Sequence, residues 1–301
     1  MFRQRMVHRF AVAAALTLVA CGRDARRATP NAAQAASRDD FGDTIALAAP
    51  PRRIVSLNPS TTELLYAIGA GDRVVGRTKY DRWPERARAV RDLGPGLRPN
   101  VEAVLAVRPD LVLLYASDDN RDAARRLRAS GVPTAAYRLD RIADFARVTR
   151  ALGALTHDSA AARVTVDTVR ATLDRVRATT APLAHPTVFW PLYDLPLLAV
   201  GGGSFLDELI DIAGGRNVYG FMSEPSPRIT FEDLLHRDPD VVLVTPESRA
   251  RYLRDPRWRA LRAVRDGRLL AVDTTLVLRP GPRIGEAARS IALLLHPGAL
   301  P

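Results

Sequence analysis

Cysteine is almost absent from this 301-residue chain: Cys21 stands alone, so no intramolecular disulfide forms and the fold is held by packing. The five histidines (His8, His157, His185, His236, His296) are widely scattered, which excludes a Cys/His zinc spacing. No apolar run approaches the roughly 20 residues of a membrane-crossing helix. There is no Gly-Lys-Ser/Thr phosphate loop, no complete dinucleotide fingerprint and no Gly-x-Ser-x-Gly elbow, so a nucleotide-binding α/β enzyme is only a remote alternative. Lysine is nearly missing too, Lys79 facing 43 arginines at a net charge of +11. Those arginines alternate with acids, as in Asp118-Asp119-Asn120-Arg121-Asp122 and Asp255-Pro256-Arg257, and no basic stripe for nucleic acid emerges. What is present, 47% apolar and 26% charged residues, fits a folded chain long enough for two domains.

The first twenty residues read as a signal peptide. Arg3, Arg5 and Arg9 precede an apolar stretch from Ala11 to Ala20, which ends Leu18-Val19-Ala20-Cys21. That tetrad resembles the bacterial lipoprotein processing box, in which the cysteine thiol receives a diacylglyceryl group. The expectation is therefore an extracytoplasmic protein anchored to the membrane through lipid on Cys21, an ordinary buried cysteine being the alternative. Residues 21–50 carry few large apolar groups and are expected to be a flexible tether.

From residue 51 the pattern becomes ordered. Ile54-Val55-Ser56-Leu57 is a strand ended by Asn58-Pro59, and Ser60-Thr61-Thr62-Glu63 reads as a capping box opening a helix over 63–68. Further strands fall at 74–76, 110–115 and 134–137, with helices between, and a second such region has strands at 188–190, 241–245 and 269–272. Strands alternating with helices imply parallel sheets covered on both faces. Between the regions, Phe145, Val148, Leu152, Leu155, Val166, Val169, Leu173 and Val176 recur at helical spacing without a proline. One long helix is the simplest reading, with any break near Gly153–His157. The expected layout is an N-terminal α/β lobe over 51–140, a linking helix over 141–182 and a C-terminal α/β lobe over 183–301.

Two segment pairs recur. Val101 to Leu114 matches Phe231 to Val244 at a constant offset, with Glu102/Glu232, Pro109/Pro239 and Asp110/Asp240 coinciding. Glu63 to Gly76 parallels Asp207 to Gly220, each acid preceded by a serine (Ser60, Ser204) three positions back. Matching halves imply two similar lobes and a cleft between them, a common place for a small-molecule site. Gly201-Gly202-Gly203-Ser204 is best read as a tight turn and cap, although such a run can also cradle phosphate.

With these residues in place, residues 50 to 297 resemble the periplasmic-binding family that carries cobalamin, iron–siderophore and haem ligands to ABC importers. The resemblance rests on Arg53-Ile54-Val55-Ser56-Leu57-Asn58-Pro59-Ser60-Thr61-Thr62-Glu63-Leu64, the two Glu…Pro-Asp units, Tyr80-Asp81-Arg82-Trp83-Pro84, and Arg279-Pro280-Gly281-Pro282-Arg283-Ile284. It implies an α/β fold of two Rossmann-like lobes with parallel sheets, joined by one long backbone helix. It implies a monomer that is not an enzyme, has no cofactor, and delivers its ligand to an importer's permease and ATPase. By the same resemblance Glu102 and Glu232 dock on permease arginines, and carboxylates on first helical turns suit that role. Tyr80, Trp83, Tyr115, Trp190, Tyr193 and Arg279 fall where the family contacts ligand. For Trp190 burial in the core is the competing reading. Cobalamin is the first expectation. Thr275 and Leu276 stand where cobalamin binders carry Asp and Trp, and a second tryptophan is missing near Pro225–Ser226, which leaves siderophore and haem open. A bare metal ion is disfavoured by the lack of convergent histidines.

Overall fold

The computed structural model describes residues 37–299, which belong to one compact unit. The signal peptide, Cys21 and the first part of the expected tether lie outside the described residues. From Ser37 the tether expectation is corrected. A hairpin of β1 (Ser37–Arg38) and β2 (Thr44–Ile45) lies against the first lobe. Asp39 is buried, accepting from Arg128 at 2.7 Å and from the Ala136 N–H at 3.0 Å. Asp40 pairs with Arg147 at 2.8 Å. Two acids meeting arginines, one of the lobe and one on the helix that follows it, fix a segment whose composition has little to bury.

The first lobe follows from short apolar runs. β3 (Ile54–Ser56), α1 (Pro59–Ala67), β4 (Val74–Gly76), α2 (Val101–Ala106), β5 (Leu111–Tyr115), α3 (Asp118–Ala129) and β6 (Thr134–Tyr137) alternate, and the sheet order is β4-β3-β5-β6, all parallel. Continuous runs such as Leu111 to Leu114 are fully buried because helices cover both faces. Next come α4 (Ile142–Thr156) and α5 (Ser159–Thr180). The second lobe contains β7 (Thr187–Phe189), an antiparallel hairpin of β8 (Pro191–Asp194) and β9 (Leu197–Ala199), α6 (Phe205–Ile212) and β10 (Arg216–Asn217). It continues with α7 (Phe231–Arg237), β11 (Val241–Val244), α8 (Pro246–Arg254), the single turns α9 (Pro256–Arg259) and α10 (Arg262–Arg265), β12 (Leu269–Ala271), α11 (Thr274–Val277) and α12 (Ile284–Leu295). Its sheet runs β10-β7-β11-β12, also parallel. Counting along the sequence within each lobe, both sheets place the second strand outside the first. The order therefore reverses beside β3 and beside β7, where doubly wound sheets bind ligands at strand carboxyl ends.

The linking segment is two helices rather than one. His157 adopts φ 63°, a left-handed conformation that ends α4. Gly153 lets α5 approach: a Cβ there would lie 2.4 Å from the Ala162 Cβ. Phe145, Val148 and Leu152 of α4 join Val166, Val169 and Leu173 of α5 in one core, so a helical period continues through a turn in the chain.

The repeat has a physical basis. Asp110 accepts from the Arg52 and Arg53 N–H groups at 2.8 and 2.9 Å, just before β3. Asp240 accepts from the Thr187 N–H and hydroxyl at 2.8 and 2.7 Å, at the start of β7. Each Pro-Asp aspartate thus ties its lobe's third strand to the first. The residues before the two prolines, Arg108 and Asp238, share positive φ values of 47° and 36°. The second pair is less alike. Ser204 caps α6, accepting from the Asp207 N–H at 3.3 Å. The α1 cap is instead Asn58, which accepts from the Ser60 N–H at 3.0 Å, so the expected Ser60–Glu63 capping box does not form. Pro59 is the reason: fixed at φ near −65° and lacking an N–H, it suits the first helical position and moves the start upstream.

Candidate functional site

The loops after β3, β4 and β12 meet at strand carboxyl ends. Asn58, Ser60, Tyr80 and Arg82 of the first lobe and Thr274, Thr275, Leu278 and Arg279 of the second line a cavity of about 430 Å³. The Tyr80 loop is a tight turn: the buried Asp81 carboxylate accepts from the Thr78 N–H at 2.8 Å and from its hydroxyl at 2.5 Å. The turn pushes the Tyr80 ring outward, leaving it 50% exposed. Lys79 sits 5.0 Å from that ring's centre.

Beside the cavity the lobes are bridged. Glu63, on α1 and 1% exposed, lies opposite two arginines of the second lobe. Arg279 Nη1 is 3.3 Å from Glu63 Oε1, and Nη2 donates to the Tyr80 carbonyl at 2.7 Å. Arg283 Nε lies 3.8 Å from Glu63 Oε2, and its guanidinium stands 4.6 Å from the centre of the Trp83 ring. Gly281 permits the approach, since a Cβ there would be 3.1 Å from Glu63 Oε2. Burial outweighs the pull of Arg283 and Arg279 and raises the Glu63 carboxyl to about 7. A second bridge is formed by Arg141, which binds Glu208 and the Gly202 carbonyl at 2.6 and 2.7 Å, and by the Phe205 N–H on the Asp140 carbonyl at 2.9 Å.

Of the ligand residues expected from sequence, Tyr80 and Arg279 line this cavity; Trp83 does not line it and packs under Arg283. Tyr115, Trp190 and Tyr193 do not line it. The Tyr115 hydroxyl donates to Asp140 at 2.7 Å, and burial raises its pKa. Trp190 is corrected to a core residue: it is 2% exposed and packs in one cluster with Val188 and Val200. Tyr193 projects from the β8–β9 hairpin, 61% exposed. Sequence reasoning missed Glu63 and Arg283 as site residues. The available signals were a lone carboxylate beside Leu64 and Leu65, and two arginines four apart around Pro-Gly-Pro.

Glu102 and Glu232 occupy equivalent places on the first turns of α2 and α7, both exposed. Arg126 donates to Glu102 at 2.6 Å. The Glu102 carboxyl lies below its ordinary range, through its own backbone N–H and then Arg126. Glu232 has no ion-pair partner among the described residues. The Gly201–Gly203 turn is accounted for by close packing. Cβ atoms there would lie about 2 Å from the carbonyl oxygens of Glu224, Gly220 and Ser223, and oxygens so placed would repel a phosphate. A larger cavity of about 1160 Å³ is lined by Phe145, Leu173, Glu208 and Arg216 among others, and by none of the residues expected from sequence. Among the described residues, no group of three or more His, Cys, Asp or Glu side chains is placed to hold a metal, and no helix is long and apolar enough to cross a membrane.

Comparison with known proteins agrees with this architecture. An uncharacterised ABC transporter substrate-binding lipoprotein of Bacillus subtilis, YvrC, is 27% identical, over 94% of each chain. A vitamin B12-binding protein of Photorhabdus laumondii is also 27% identical, over 83% of this chain and 90% of its own. The crystal structure of a periplasmic haem-binding protein from Pseudomonas aeruginosa superposes with a TM-score of 0.75 at 25% identity, over 83% of this chain and 95% of that one. The family model for periplasmic binding proteins matches residues 54–275, nearly the whole two-lobed fold, and the chain belongs to that family.

Proposed function

We propose that the chain is the extracytoplasmic solute-binding lipoprotein of an ABC importer, capturing a caged-metal ligand, cobalamin first, between its lobes. The observation that carries this reading is the meeting of Tyr80 and Arg279, from opposite lobes, on one cavity at the strand carboxyl ends. An exposed tyrosine ring suits the flat face of a macrocycle, and the guanidinium fork suits amide or carboxylate oxygens at its edge. Glu102 and Glu232 then serve as the two acidic contacts with permease arginines, and Cys21 holds the protein at the membrane through lipid. The relatives support cobalamin through the Photorhabdus laumondii protein.

A second reading, a haem or ferric siderophore, is favoured by one feature. Arg82 lines the cavity without an ion-pair partner among the described residues, and Lys79 adjoins it, a setting that attracts anionic ligands. Tryptophan-quenching titration of the chain lacking residues 1–21 separates the two. Cyanocobalamin binding most tightly supports the first reading, while haem, a ferric hydroxamate or a ferric catecholate binding most tightly supports the second. Failure of all four to bind at micromolar concentration overturns both.

A further inference from the structure

Of the residues joining the lobes beside the cavity, Arg279 is expected to contact ligand, whereas Glu63 and Arg283 are not. Glu63 comes from the first lobe, with Asp81 as its near acidic neighbour; Arg279 and Arg283 come from the second. These are the charged groups that face the Glu63 carboxylate. All four side chains are largely screened from water, yet the set is incompletely satisfied: Asp81 Oδ1 and Arg283 Nε are buried without hydrogen-bond partners. Arg279, which lines the cavity, reaches Glu63 and the Tyr80 carbonyl with the same guanidinium and so ties a cavity wall to the opposite lobe.

We propose that Glu63 is a gating residue, whose contact with Arg279 and Arg283 holds the lobes together and must release for a ligand to enter. A buried ion pair with unmet donors and acceptors is a poor permanent tie, because desolvation offsets most of its Coulombic gain. It is well suited to a contact that opens and closes. The proton linkage gives the gate a direction. In the closed cleft burial raises the Glu63 carboxyl to about 7, whereas in an opened, wetted cleft it falls toward its ordinary value. The closed form therefore holds the proton more tightly: the protonated carboxyl still accepts from Arg279, whereas ionisation leaves a buried charge that the two arginines do not fully offset, so raising the pH favours opening.

The inference rests on the cleft being the ligand site, but its test needs no ligand. Arg125→Cys on α3 and Arg254→Cys on α8, both exposed and in different lobes, carry spin labels in the chain lacking residues 1–21, which has no other thiol. The interlobe distance distribution is measured from about pH 5 to about pH 9, a range spanning ordinary and raised carboxyl values. In the labelled chain with Glu63 intact, the long-distance population should grow with pH. Glu63→Gln keeps an oxygen for Arg279 and cannot ionise, so its distribution should be closed and independent of pH. Glu63→Ala should be open throughout, with a long-distance population above that of the Glu63 chain at every pH. A narrow distribution unaffected by pH while Glu63 is intact overturns the gate, as does Glu63→Ala matching the chain that retains Glu63. Should Glu63→Ala fail to fold, the isosteric Glu63→Gln and the pH series decide alone. If distances respond but no ligand binds, the gate stands and the ligand reading fails.

Discussion

The two lobes are built on one plan and differ where it matters for function. Both sheets have the same strand order, both tie third strand to first through a Pro-Asp aspartate, and both expose a glutamate on the helix before that strand. The acids at the other repeated position diverge. Asp207 stays within its own lobe, accepting from Asn217 at 2.8 Å, whereas Glu63 reaches across to the opposite one. The two exposed glutamates diverge as well, Arg126 holding Glu102 while Glu232 has no ion-pair partner among the described residues. Duplicated residues build the frame and the candidate outer contacts; apart from Ser60, the cavity lining comes from residues outside the repeated segments.

Removing both glutamates should have the largest effect. Glu102→Ala with Glu232→Ala is expected to abolish uptake in a transport assay while ligand affinity stays unchanged. Lost affinity would place these residues in the cleft and break the comparison. Singly, Glu232→Ala should reduce uptake more than Glu102→Ala, because Glu102 must first part from Arg126 to dock.

Next in size are the frame aspartates. Asp240→Ala strands the Thr187 N–H and removes one of the two carboxylates on Arg262, and should cost about 2 kcal/mol in urea unfolding. Asp110→Ala, whose partners are more exposed N–H groups, should cost nearer 1 kcal/mol. Equal costs would mean that the lobes are tied equally.

The pH profile gives two smaller effects of opposite sign. The Asp240 carboxyl is lowered to about 2 by Arg262 and Thr187, so its stabilisation is complete above the ordinary value of 3.8 and is lost as pH falls through about 2. Glu63 is raised from 4.5 to about 7, so the folded chain binds its proton more tightly than the unfolded one does. Stability should therefore decline as pH rises from about 4.5 to about 7, then level off. Unfolding of Glu63→Gln across that range should lack the decline, and a decline that persists would assign it to another group.

How legible the molecule was depended on the range of each interaction. The parallel strands were readable because runs such as Leu111 to Leu114 must be buried on both faces. The Pro-Asp units were readable because the repeat displays them twice. The break at His157 was harder, since α4 and α5 bury their apolar faces in one core and the periodicity continues across the turn. The hairpin at residues 37–45 was missed because acids fix it to distant arginines, which composition does not reveal. Glu63 was misread as a capping residue for the same reason: its partners lie more than 200 positions away. Trp190 and Tyr193 sit near a strand end, as many ligand residues do, but one turns into the core and the other onto an exposed hairpin.

The central claim is that ligand binds where Tyr80 and Arg279 meet, and calorimetric titration of the tightest-binding ligand tests it most directly. Tyr80→Ala and Arg279→Ala should each weaken binding about tenfold, corresponding to roughly 1.4 kcal/mol, while Tyr193→Ala should leave it unchanged. Full affinity in both cavity variants, or a loss confined to Tyr193→Ala, would contradict the account.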